Sequence, residues 1–225
     1  MAWGLGVGII AIAFVFALFA FVIFKETRTH RFWQEKVDEG DLEMITQLVQ
    51  AEVEHWRTER PPKGVPVAVW QGVQSVELVS VGPDYIRVST TAEPQFAPVG
   101  GERRQVSSAL DGAKRITAGL AERFFYDIPH VRAARVQIDC YTTFQEPGSA
   151  VSQRCILTTL AQRADAAEID WENDPPEVIA EQLGARYQLD DRGLAIPIEP
   201  DEPEAQTEVN GARQDSPPAE PERSP

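Results

Sequence analysis

Hydrophobic positions along this chain fall into patterns with different periods. The first has no period at all. From Trp3 to Phe24 (WGLGVGIIAIAFVFALFAFVIF) no residue is charged, and none is Pro, Asn or Gln. A helix of about 22 residues at 1.5 Å rise spans about 33 Å, the thickness of a hydrocarbon core. A cleavable signal would want a basic start, a shorter apolar run and a small-x-small site. The run is therefore read as an uncleaved transmembrane anchor over 3–24. Gly4 and Gly8 form a GxxxG, and Ala13 and Ala17 repeat the small-xxx-small spacing. That pattern suits a homodimer face through the membrane helix, although small residues are common in such helices anyway.

From Asp41 onward the period changes to that of an amphipathic helix. Leu42, Ile45, Leu48, Val49, Val53 and Trp56 share one face, Asp41 stands as N-cap, and Pro61 to Gly64 ends the element. Val73 to Val81 then reads as a strand. Its apolar residues fall on both faces, which predicts a place inside the sheet. Gly82-Pro83-Asp84 is a turn, Tyr85 to Thr91 the returning strand, and Val65 to Trp70 a short extra strand. Ala92 to Arg104 is punctuated by Pro and Gly and reads as a loop. Val106, Leu110, Ala113, Ile116, Leu120 and Phe124 mark the most regular helix of the chain.

A period of two follows. Val136, Ile138, Cys140, Thr142 and Phe144 point one way, and Arg135, Gln137, Asp139, Tyr141 and Thr143 the other. Such alternation predicts one buried and one wet face. Glu146-Pro147-Gly148-Ser149 is a type II turn signal. Pairing Glu146 with Ser149 sets Phe144 against Val151, Cys140 against Cys155 and Ile138 against Leu157. After an acidic connector, Asp174 to Gly184 reads as a short helix with Asp174 as N-cap, and the stretch from Ala185 to Ile198 as a last edge strand. Beyond about Pro197 large apolar residues nearly vanish, so the tail is expected to be disordered.

The fold class expected is α+β: one transmembrane helix, then a mostly antiparallel sheet with helices packed on one face, and a disordered C-terminal tail. The segments are an anchor at 3–24, a basic juxtamembrane linker at 25–40, a soluble domain at 41–196 and an acidic Pro-rich tail at 197–225. The opening helix and VQSVELVSVGPDYIRVST resemble membrane-tethered Tim44-like or NTF2-like modules over residues 41 to 91. The long helix from Val106 departs from that pattern, and no functional residue is carried over.

Charge sets the address. Lys25, Arg28, Arg31 and Lys36 follow the span and no basic residue precedes it. An excess of Lys and Arg stays cytoplasmic, so the N-terminus is expected outside and the soluble domain on the cytoplasmic face of a cell inner membrane. A net charge of −14 argues against nucleic acid as a partner. Orientation also bears on Cys140 and Cys155, the two cysteines of the chain. As a cross-strand pair they are either reduced core thiols, favoured in the cytoplasm, or a disulfide in an extracytoplasmic domain.

Candidate chemistry is thin. His30, His55 and His130 have no Cys, Asp or Glu at ligand spacing, so no metal or other cofactor is implied. Tyr126, Asp127 and His130 lie close in sequence, where Asp127 would orient His130 as a base. The reading favoured is a helix C-terminus with a Pro stop and an exposed His. Asp165, Glu168, Asp170, Glu172 and Asp174 lack the central Gly of a calcium loop and read as a solvated connector. On the wet face of the hairpin, Asp139, Tyr141 and Arg154 form a candidate partner patch. The function expected is a non-enzymatic adaptor or assembly module, with the lipid bilayer and an unidentified protein as partners. The alternative is an extracytoplasmic domain for envelope assembly or ligand binding, with Cys140 and Cys155 oxidised.

Overall fold

Helix α1 (Leu42–Thr58) starts where Asp41 accepts a hydrogen bond from the Met44 amide, and buries Ile45, Val49, Val53 and Trp56. Its last carbonyls would be orphans. They are met by the next element, α2 (Val67–Gln74). Trp70 Nε1 donates to the Glu59 carbonyl at 3.1 Å, and Gln74 Nε2 reaches the Arg57 and Glu59 carbonyls at 3.0 and 3.1 Å. The computed structural model describes residues 41–144 and 151–201. The predicted span, the basic linker, the turn at 146–149 and the tail beyond Asp201 lie outside the described residues. Among the described residues, no helix is long and apolar enough to cross a membrane.

The α+β architecture is as expected, with a mostly antiparallel sheet, but the path into it differs. Residues 67–74 form a helix where the extra strand and the start of the next one were expected. Val69, Trp70 and Val73 are spaced for one helical face, and all three are buried. Of the residues that made the segment look apolar on both sides, Val73 belongs to the helix, Val76 precedes the strand and Val79 is exposed. Strand β1 is only Glu77–Val81, and it is an edge strand. Gly72 explains how closely α2 packs on the long helix. A Cβ there would lie 2.1 Å from Ile116 Cδ1 and 3.0 Å from the Thr91 carbonyl oxygen.

β2 (Tyr85–Thr91) pairs antiparallel with β1. The expected loop instead contains a hairpin of β3 (Gln95–Val99) and β4 (Glu102–Ser107), turned by Gly100 and Gly101 at φ +63° and +86°. Val106 belongs to β4 and is exposed, so helix α3 (Ala109–Tyr126) begins later than expected. Ser108 and Asp111 close a reciprocal capping box with two 3.0 Å bonds.

β5 (Arg135–Phe144) lies parallel to β2, and β6 (Ser152–Gln162) antiparallel to β5, giving the order β1-β2-β5-β6. A one-turn helix α4 (Arg163–Ala166) follows, then α5 (Pro176–Gln182). Pro175, not Asp174, is the N-cap of α5; Asp174 instead accepts from Gln182. The expected last strand is a minimal hairpin, β7 (Gln188–Leu189) with β8 (Ala195–Ile196). Its flanks attach to the outer edge of β6, through an Arg186–Thr158 bridge and an Ile198 amide bond to the Cys155 carbonyl. Ordered contacts thus run past residue 196, to Asp201.

The core lies between α3 and one sheet face. Ile86 and Val88 stand beside Val136 and Ile138 in register, with Leu157 and Ala161 beyond. Trp56 meets Phe124 edge to face, centroids 5.1 Å apart, which ties α1 to α3.

Candidate functional site

The two cysteines do not face each other. Strand β6 enters one residue out of the expected register, with Phe144 opposite Ser152, and a bulge between Cys140 and Tyr141 adds another step. Cys140 therefore stands opposite Leu157, and Cys155 opposite Tyr141. A bulge reverses the parity of every residue beyond it, so the sulfurs lie on opposite faces of the sheet. Cys140 sits under α3, 3.3 Å from Thr117 Oγ1 and 3.8 Å from the Ala113 carbonyl. Cys155 donates to the Leu157 carbonyl on the other side. Both are free thiols. Burial pushes each up to about 12, with the Asp139 carboxylate adding to the rise at Cys155. Thiols this hard to ionise are inert packing groups.

The face expected to be wet is dry at its centre. Gln137 and Asp139 are each 1% exposed. Asp139 accepts from Arg87 Nε at 2.8 Å, Thr158 Oγ1 at 2.6 Å and Gln137 Nε2 at 3.1 Å. Gln137 accepts from Tyr85 Oη at 2.7 Å and donates to the Asp201 carbonyl at 2.7 Å. Burial raises the Tyr85 and Tyr141 phenols above their ordinary values. Burial works against the Arg87 cation, but its bond to Asp139 prevails and the pKa rises. The candidate patch is therefore dispersed. Asp139 is buried and satisfied, Tyr141 is half-buried on the same face, and exposed Arg154 pairs with Thr142 on the opposite one.

The other sequence candidates stay apart as well. Tyr126 Oη donates to the Ala166 carbonyl at 3.2 Å, Asp127 caps α3, and His130 adopts φ +68° in the next turn. In the carboxylate run, Asp170 accepts from the side chain and backbone of Asn173, and those bonds hold it below the usual range. Among the described residues, no group of three or more His, Cys, Asp or Glu side chains is placed to hold a metal ion.

What the molecule does present is a groove of about 530 Å³ between α2, α3 and α5. Trp70, Val69, Val73 and Ile179 form its apolar walls, Pro62, Val65 and Pro66 one lip, and Trp171 and Pro176 the other. Each wall is pinned. Trp171 Nε1 donates to the Ala166 carbonyl at 3.0 Å, and its ring meets Tyr126 edge to face. Arg115 bonds Glu177 at 2.6 Å. Arg123 bonds Glu59 at 3.2 Å and lies over the Trp70 ring at 4.8 Å. The groove's cations are thereby neutralised. Its carboxylates Glu122 and Asp174 make no salt bridge among the described residues. Partial burial, then the nearby Asp127, raise the Glu122 pKa.

Sequence reasoning missed this groove because its residues come from three separate stretches. One signal was available: Trp171 is the only large aromatic in the acidic connector, where a solvated segment has no use for it. No family model, curated protein or solved structure matches the chain.

Proposed function

We propose that this chain is a membrane-anchored, non-catalytic α+β module, an adaptor or assembly protein on the cytoplasmic face of an inner membrane. Its α2–α3–α5 groove holds an apolar segment of a protein partner that carries a basic residue. The observation behind this is the pairing pattern of the groove: aromatic and proline walls for apolar side chains, Arg115 and Arg123 already neutralised, and Glu122 and Asp174 left to face a cation. Apolar pockets with a few convergent polar groups are the ordinary form of a binding site. The apolar run at 3–24, followed by Lys25, Arg28, Arg31 and Lys36, supports the anchor and its orientation. Tethering to a bilayer raises the effective concentration of such a module for partners in the same membrane.

The test is site-specific photocrosslinking in cells with the full chain. A crosslinking residue at Pro62, on the groove lip, should give a discrete adduct with another protein, and the adduct should weaken in Glu122→Lys. The same residue at Arg192, in the β7–β8 turn, should give none. Equal adducts from both positions, or none from Pro62, sink the groove as a docking site. Sidedness is read separately on Ser216→Cys with Cys140 and Cys155 changed to Ala. Labelling by a membrane-impermeant maleimide only after lysis is the expected result; labelling in intact cells would place the domain outside.

A further inference from the structure

Where β5 begins and β6 ends, a second pocket of about 370 Å³ lies at the end of the sheet. Its lining contains Arg132, Arg163 and His130 and no Asp or Glu. On a chain of net charge −14 that is a local inversion of sign. Arg163 is built into the fold. Its Nε donates to the Ala133 carbonyl at 2.8 Å and its Nη1 to the Phe125 carbonyl at 2.7 Å. Its guanidinium lies over the Phe125 and Tyr126 rings at 5.1 and 5.9 Å.

The third nitrogen, Nη2, is buried and has no hydrogen-bond partner among the described residues. Arg163 makes no salt bridge there either, whereas Arg57, Arg87, Arg115, Arg123, Arg135 and Arg186 all do. Burial lowers its pKa, Tyr126 opposes that and Arg132 adds to it. His130, at φ +68°, sits in a backbone conformation that non-glycine residues seldom keep without cause.

We infer that this pocket binds a phosphate-type oxyanion, with Arg163 and Arg132 supplying the charge and hydrogen bonds and His130 standing beside them. The planar guanidinium fork suits such a group, and its charge-assisted bonds are about twice as strong as neutral ones. Phosphate chemistry has two sources here, the headgroup of an anionic lipid or a free phosphate. The site is independent of the groove, being formed by other residues.

The experiment uses the full chain in nanodiscs. Arg163 is left intact, because its bonds to two carbonyls are structural. The variants are Arg132→Ala, His130→Asn (Asn tolerates positive φ) and Arg192→Ala as a control. In phosphatidylcholine discs, inorganic phosphate is titrated by phosphorus NMR and thermal shift. A saturable response that weakens about tenfold in Arg132→Ala, more mildly in His130→Asn and not in Arg192→Ala, identifies a free-phosphate site. If phosphate has no effect, but discs containing phosphatidylglycerol raise the melting temperature in the parent and control and not in Arg132→Ala, the ligand is the lipid headgroup. No response to either probe, or the same response in Arg132→Ala as in the control, overturns the inference.

Discussion

On the helix side of the sheet, Ile86, Val88, Val136, Ile138 and Leu157 pack against α3 and need nothing but shape and hydrophobicity to stay dry. On the other side, Tyr85, Arg87, Gln137, Asp139 and Thr158 are drawn from three strands, and the inner ones stay dry only because each satisfies another. The Asp201 carbonyl completes the set from outside the sheet. The first face tolerates imperfect neighbours, since any apolar contact contributes. The second is a closed circuit, and losing one member strands the rest.

The largest effect is expected on the helix side. Phe124→Ala, fully buried against Trp56, should cost about 3–5 kcal/mol in urea unfolding. On the polar side, Asp139→Ala should cost about 3 kcal/mol by leaving Arg87 and the Thr158 hydroxyl unpaired, while the double change Arg87→Met with Asp139→Leu should recover most of it. A cost below about 1 kcal/mol for Asp139→Ala would mean that water already serves this face, and the contrast between the faces would collapse. Ending the chain after Glu199 removes the Asp201 contacts to Gln137 and Arg186, for an expected loss of about 1 kcal/mol.

At neutral pH the smallest effect concerns the thiols, one on each face. Both are raised from an ordinary value near 9 to about 12, so the folded state holds protons that the unfolded state releases. Stability from the thiols is complete below pH 9 and is lost as pH rises toward 12. The double variant Cys140→Ala with Cys155→Ala should flatten that decline and leave the pH dependence below 8 unchanged. A sloping difference between parent and variant at neutral pH would show that at least one thiol ionises more easily than its burial allows.

Much of the architecture was legible in the chain. The helical period from Leu42 to Trp56, the helix around Leu110 to Phe124 and the alternation in β5 all became the elements they announce; in the two helices local periodicity and burial agree, whereas in β5 both faces are buried at the centre. Val67 to Gln74 misled because β-branched and aromatic residues satisfy a strand as well as a short helix. What decided it was α2 covering the open carbonyls of α1. The β3–β4 hairpin was hidden by Pro98, which a two-stranded ribbon accommodates at its edge.

The candidate sites were less legible, and for one physical reason. Sequence by itself determined the elements with a strong repeat, the apolar run at 3–24 and the balance of charge, all of which are properties of neighbours along the chain. Tertiary structure alone decided that a bulge would send Cys140 and Cys155 to opposite faces, that residues 185–201 would close the polar side, and that Trp70 and Trp171 would wall one groove. A register shift of one residue costs little in local propensity but reverses every side chain beyond it. A groove between three helices has little local signature beyond Trp171, because its α2 and α3 walls also read as ordinary core.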